Sequence, residues 1–85
     1  MVKFEKGEII KGKVTGIEDY GIFLSLDDNY AGLIHISEMS LNFVKNIFDY
    51  VQLNEVIRAR VLDVDEVNKK VKLSIKNLDY RIDSK

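Results

Sequence analysis

Eighty-five residues leave room for one domain, and a domain of that size buries only about 60% of its unfolded surface, which excludes a large internal substrate cavity and puts any ligand on the outside. The chain has no cysteine, which excludes a disulfide framework and thiolate metal ligation. Thirteen Lys and Arg against fourteen Asp and Glu give a formal net charge of −1 and a pI near 5.8, far below the value of about 9 that marks a strongly basic nucleic-acid domain, so any polyanion must be met by a local patch and by stacking.

The first residues, Met1-Val2-Lys3-Phe4-Glu5-Lys6, carry charge where a secretory signal needs an apolar run. No segment approaches the roughly 20 consecutive apolar residues of a membrane span. The expectation is a cytoplasmic protein without membrane contact. Proline is absent, and neither a low-complexity run nor an internal repeat is present.

In chain order, period-two alternation of apolar and polar residues marks half-buried strands. The first runs through Ile10–Ile17, with Ile10, Gly12, Val14 and Gly16 on one side and Lys11, Lys13 and Thr15 on the other. The second covers Gly21–Leu26, with Ile22, Leu24 and Leu26 on one face, and Asp27-Asp28-Asn29 then reads as a turn. A third, shorter strand is Gly32–Ile36. Leu41, Val44, Phe48 and Val51, with Ile47 beside them, follow at helical spacing, and Ser40 is placed as the N-cap of that segment. The fourth strand is Ile57–Val64, with Ile57, Ala59 and Val61 opposite Arg58 and Arg60. The fifth is Lys70–Lys76, with Val71, Leu73 and Ile75 opposite Lys70, Lys72, Ser74 and Lys76. The expected core is Val14, Ile22, Leu24, Ile34, Val61, Leu73 and Ile75. Three strands, a short helical connection and two more strands match an all-β, five-stranded antiparallel OB-fold barrel, since closure removes the open edges that invite aggregation. The domain is placed at residues 1–76, and residues 77–85, with mixed charge and little periodicity, are expected to be a loosely held or partly helical tail.

With Ile22 and Leu24 inward, alternation turns Phe23 outward, and it turns His35 away from Ile34 and Ile36. Tyr20 stands at the mouth of the second strand. An OB-fold offers its second and third strands for binding, so Tyr20, Phe23 and His35 form a candidate platform for unpaired bases. The alternative is that Phe23 and Tyr20 cover the end of the core and His35 is an ordinary surface histidine. The turn from Asp65 to Lys70 flanks the same face. There Lys69 and Lys70 would meet phosphates and Asp65 a base or a 2′-hydroxyl; the alternative is a solvated hairpin turn with Asn68 supplying a left-handed backbone. Asp63, Asp65 and Glu66 lack calcium-loop spacing. His35 and Ser37 share a strand face without a nucleophile elbow, an orienting acid or an oxyanion hole, and no phosphate-binding glycine loop is present. No metal, no cofactor and no catalysis are expected.

The stretches GKVTGIEDYGIFLSL, AGLIHISEMS and RARVLDVDEVNKKVKLSIK, in that order, resemble the S1 RNA-binding domain family over about Gly7 to Lys76. The segment Asn42 to Tyr50 is similar to that of short bacterial proteins of the general stress protein 13 type. The resemblance implies an OB-fold that binds single-stranded RNA with little sequence preference. It places RNA-contacting positions at Tyr20, Phe23, His35, Asp65 and Lys70, and Lys13 is added as a further support for the RNA backbone. Likeness to the stress-protein group implies association with messenger RNA or the small ribosomal subunit; a monomer is expected. The rival expectation is a protein-docking module using the same face, which the near-neutral charge favours. Two positions depart from the family pattern. Asn54-Glu55 stands where the family has a glycine and an acid, and Lys69 stands where it often has a glycine.

Overall fold

The alternating segments fold as five strands in the structure, a computed structural model that describes residues 3–40 and 44–82. They are β1 (Ile9–Glu18), β2 (Gly21–Ser25), β3 (Ala31–His35), β4 (Val56–Asp65) and β5 (Lys70–Ser74). They close into a barrel in the order β1-β2-β3-β5-β4. All seven expected core side chains are buried, none more than 2% exposed. Phe4, Leu26, Tyr30, Val44, Ile47 and Val51 join the same apolar cluster.

The barrel is not antiparallel throughout. β1–β2, β1–β4, β2–β3 and β4–β5 are antiparallel ladders, whereas β3 and β5 pair in parallel. A closed ring with an odd number of strands cannot alternate direction all the way round, so one pair must run parallel. Residues 36–55 carry the chain from β3 across to β4, and the β4–β5 hairpin then returns β5 alongside β3; a parallel pair needs such a long connection because a hairpin cannot join it.

That crossover contains no α-helix among the described residues; its helical pieces are 3₁₀ turns at Ile36–Glu38 and Ile47–Asp49. Residues 41–43 of the expected helix lie outside the described residues. From Val44 onward the helix is prevented by Asn46, whose extended backbone (φ −145°) and side chain, accepting from the Phe48 N–H at 3.0 Å, start a new turn. Asn46 is therefore the cap of the Ile47–Asp49 turn, while the residues directly after Ser40, the expected cap, lie outside the described ones. Val44, Ile47 and Val51 still reach the core, but Phe48 is 63% exposed.

Two β-bulges alter the faces read from alternation. In β1 the register slips between Val14 and Gly16, leaving Thr15 as the extra residue. A bulge puts two residues against one and reverses the alternation beyond it. Ile17 thus turns inward, and Gly16, expected inward, pairs with Phe23 on the outside. In β4 a second slip between Val61 and Asp63 leaves Leu62 unpaired and exposed.

The tail corrects the expectation of a loosely held segment as far as it is described. β5 covers β4 only from Arg60 to Asp65, which leaves the first residues of β4 with an open edge. The tail fills it: the Arg58 N–H donates to the Tyr80 carbonyl at 2.8 Å, and Ile57 bridges to Arg81. The Tyr80 hydroxyl donates to the Tyr50 carbonyl at 2.7 Å, and Arg81 pairs with Glu55 at 3.1 Å as an ion pair, not an aligned hydrogen bond.

The turn before β4 survives the loss of the family's glycine because Asn54 adopts the left-handed conformation (φ 70°), with its N–H on the Val14 carbonyl at 2.8 Å. Asn tolerates this region better than residues without a short polar side chain. Asn54→Ala is therefore expected to lower unfolding free energy by about 1 kcal/mol, and Asn54→Gly to leave it within a few tenths. Urea denaturation of the two variants beside the parent checks this; equal loss in both would place the cost in side-chain contacts, not in the backbone.

Candidate nucleic-acid interface

Strand register assembles the site row by row, because residues paired across strands share a face. One row runs Gly16–Phe23–Leu33–Lys72–Asp63 across β1, β2, β3, β5 and β4. The next runs Ser25–Ala31–Lys70–Asp65. In the third, His35 stands opposite Gly21. Two hollows follow these rows. A hollow of about 230 Å³ is lined by Phe23, Ala31, Leu33, Asp65, Lys70 and Lys72, among others. A second of about 270 Å³ is lined by Leu33, His35, Ser37, Glu38, Leu62 and Lys72, with Leu73 at its base. Leu33 and Lys72 belong to both, so the two form one continuous groove.

Phe23 is half-buried and lies over Gly16, where an added Cβ would meet its ring edge at 3.5 Å. Tyr20, 50% exposed, meets it edge to face, with ring centroids 6.0 Å apart and planes at 85°. Gly21 between them is required by packing, since a Cβ there would overlap the Ile34 carbonyl oxygen. The Tyr20 carbonyl accepts the Ile36 N–H at 2.7 Å, which holds Tyr20 next to the end of β3.

His35 is exposed and oriented from behind. The Ser37 N–H donates to Nδ1 at 3.1 Å, and the Ser37 hydroxyl lies 2.8 Å from the same nitrogen. A backbone N–H can only donate, so Nδ1 is the acceptor and the neutral ring carries its proton on Nε2. The ring thereby offers a donor to a ligand's oxygen or nitrogen.

Asp65 lines the groove, but its carboxylate also closes the β4–β5 turn. Oδ1 accepts from the Val67 and Asn68 N–H groups at 3.1 Å each, and Oδ2 from the Asn68 side chain at 2.9 Å. These bonds, the Asn68 side chain foremost, hold its pKa below the ordinary carboxylate value. The left-handed residue of the turn is Lys69 (φ 57°), not Asn68, because Asn68 is committed to Asp65. The Lys69 carbonyl accepts the Ala31 N–H at 3.0 Å, and its ammonium sits 4.8 Å above the Tyr30 ring. The Tyr30 hydroxyl bonds Glu66, which raises the phenol pKa above its ordinary value. The turn is therefore pinned from both sides.

Phe23, Asp65 and Lys70 thus line one hollow, His35 the adjoining one, and Tyr20 supports Phe23. Lys13 lines neither. It lies outward on β1, paired with Ser25 on one side and Val56 on the other. Among the lining residues that the sequence does not mark as candidates are Leu33, Lys72 and Leu62. Alternation in β3 and β5 already turned the first two outward, whereas only the bulge exposes Leu62.

A closed five-stranded barrel with aromatic and cationic groups gathered on β2, β3 and β5 is the architecture of an OB-fold with an open ligand face. Residues 3–76 match the family described as S1 RNA binding domain, and the chain belongs to that family. General stress protein 13 of Bacillus subtilis is 45% identical over 74 residues, covering 87% of this chain and 57% of that protein. Its solution structure superposes with a TM-score of 0.81 at 45% identity, over 86% of this chain and 56% of that one. The alpha subunit of translation initiation factor 2 from Haloarcula marismortui is 43% identical over 77 residues, covering 88% of this chain and 29% of the subunit. A chain in the crystal structure of the a/eIF2alpha–aDim2p–rRNA complex from Pyrococcus horikoshii matches with a TM-score of 0.82 at 33% identity, over 89% of this chain and 46% of that one. The chain thus spans about half or less of the length of these relatives. No helix among the described residues is long and apolar enough to cross a membrane.

The lowered pKa of Asp65 sets a pH dependence. A carboxylate whose folded pKa lies below its unfolded value contributes stability above that unfolded value and loses it as pH falls through the folded pKa. The loss is therefore expected below about pH 3.8, the ordinary value. Asp65→Asn should show a shallower fall in melting temperature between pH 5 and pH 2 than the parent, read by circular dichroism at fixed ionic strength. An identical profile would mean that the turn draws nothing from the ionised form.

Proposed function

We propose that this domain binds single-stranded RNA in the groove across β2, β3 and β5, with little sequence preference and without catalysis. The observation that carries the proposal is the groove itself: an apolar floor of Phe23, Leu33 and Leu62, with Lys70 and Lys72 along it opposite Asp65 and Asp63, and Glu38 at its far end. Flat rings take any base, and this is the source of the low sequence preference. Tyr20, Phe23 and His35 receive bases, Lys70 and Lys72 meet phosphates, and Asp65 holds the turn that presents Lys70. Lys13 steadies the backbone where the strand leaves the groove. Family membership supports RNA as the ligand.

The natural partner is messenger RNA or the small ribosomal subunit, met by a monomer in the cytoplasm. Two relatives support this: one is named as a translation initiation factor subunit, and another is seen in a complex that includes rRNA. Docking of a protein on the same face is the rival, and the apolar floor of half-buried Leu33 and exposed Leu62 is what favours it.

Phe23→Ala should weaken binding of a tetranucleotide by about 1–3 kcal/mol, or roughly 5- to 150-fold, if one base rests fully on the ring. Melting temperature measured on the same samples separates lost stacking from a disturbed barrel. Lys70→Ala should weaken binding less and reduce the log–log salt slope by about 0.7, the share of one phosphate contact to a single strand. A folded Phe23→Ala that binds the tetranucleotide as tightly as the parent defeats stacking and leaves protein docking as the better account.

A further inference from the structure

The groove is not the chain's only cationic surface. β1 from Ile9 to Lys13 pairs with β4 from Val56 to Arg60, with Lys11 directly opposite Arg58, Ile9 opposite Arg60 and Lys13 opposite Val56. Gly12, Ile57 and Ala59 point into the barrel, so the outward positions of this ladder are Ile9, Lys11, Lys13, Val56, Arg58 and Arg60. Four are cations, two are exposed apolar side chains and none is a carboxylate. None of the four cations forms an ion pair among the described residues. Like charges directly opposite on a ladder destabilise it. A carboxylate opposite Lys11 would serve the barrel better than Arg58 does, in a chain with fourteen to place.

We infer that this β1–β4 face is a second RNA contact, a phosphate track for the strand that leaves the groove. The inference rests on the reading that RNA occupies the groove. Charge selects a polyanion, and continuity with the groove selects the same strand. Phe23 and Ser25 share the outer face of β2, and Ser25 is paired with Lys13. From Phe23 the path therefore runs along β2 to Ser25, across to Lys13, along β1 to Lys11 and across to Arg58. Each step is about 7 Å along a strand or about 5 Å between strands. Lys13, which lines neither hollow, is the junction between the two surfaces. The face lacks a stacking platform, so it adds phosphate contacts without adding base preference.

The test compares oligouridylates of about 4 and about 12 nucleotides, lengths at the lower and upper parts of the range for one OB-fold. Lys11→Gln with Arg58→Gln should leave the 4-mer affinity unchanged and weaken the 12-mer roughly ten-fold at low salt, with the 12-mer salt slope reduced by about 1.4 for two lost contacts. Lys11→Glu is the second variant: it sets opposite charges across the ladder, so it should raise the melting temperature while weakening the 12-mer. An unchanged 12-mer affinity in the folded variants overturns the inference, and so does an equal loss for both lengths. A loss seen only with a 12-residue oligoglutamate, and not with the 12-mer RNA, assigns the face to an acidic protein segment and overturns it as well. Phe23→Ala run in parallel keeps the two readings apart. If the groove reading fails, that variant binds the 4-mer normally; if only this inference fails, Phe23→Ala weakens both lengths and the charge variants weaken neither.

Discussion

Everything on the grooved face depends on the parallel ladder between β3 and β5. Five strands closing on themselves must contain one pair running the same way, and here the ring closes where Ala31 meets Lys70 and Leu33 meets Lys72. Those two pairings put the basic side of β5 next to the apolar side of β3. Had β5 stayed only a hairpin partner of β4, Lys70 and Lys72 would lie at a sheet edge, away from Phe23. The closure is tight: Gly32 faces the Leu73 side chain, where an added Cβ would come within 2.6 Å. The Ala31 N–H on the Lys69 carbonyl extends the ladder into the turn. Barrel closure and site assembly are thus one event, and a change that loosened β3 against β5 would affect both stability and the groove.

The bulges at the two margins of the face give that surface its shape. Thr15 shifts β1 so that a residue without a side chain lies under Phe23, and the ring can lean across the strand. Leu62 shifts β4 so that an apolar side chain enters the groove from the other margin. Bulges increase local twist and re-aim side chains. In a barrel of this size they allow the interior to stay fully apolar while the outer face departs from simple alternation. The Thr15 hydroxyl is 3.4 Å from the Phe23 carbonyl, so the bulged residue is still tied to the strand it serves.

Most of the fold was legible because period two is a strong pattern: strands, core residues, and the outward turn of Phe23, His35, Lys70 and Lys72 follow from it. What escaped has a physical cause in each case. The crossover shows apolar residues at spacings of three and four, and a chain that buries Val44, Ile47 and Val51 through a 3₁₀ turn produces the same pattern as a helix. Asn46 was the contrary sign, as a residue that favours caps over helix interiors. Bulges leave no trace in composition, so the outward turn of Gly16 and the exposure of Leu62 were hidden. The tail has no periodicity because it borrows its order from the open edge of β4. Asn68 and Lys69 stand side by side in the turn, and only the claim of Asp65 on Asn68 passes the left-handed position to Lys69.

Net charge is a poor guide to this surface because the carboxylates and the cations are used differently. Asp65 is bound into its turn, Glu66 takes the Tyr30 hydroxyl, and Glu38, Glu55, Asp28 and Asp63 pair with Lys76, Arg81, Lys3 and Lys6. Most of these pairs lie at the ends of the barrel or in its connections. Lys70, Lys72, Lys11, Lys13, Arg58 and Arg60 form no such pairs among the described residues and stand on strand faces. The formal charge of −1 averages over unlike faces: the outward positions of the β1–β4 ladder hold four cations and no carboxylate, whereas Lys70 and Lys72 stand opposite Asp65 and Asp63. A polyanion approaching the β1–β4 ladder would meet its four cations at short range, while charges beyond about 10 Å are largely screened at moderate salt. A domain with an acidic pI can in this way carry a local positive surface on one strand face.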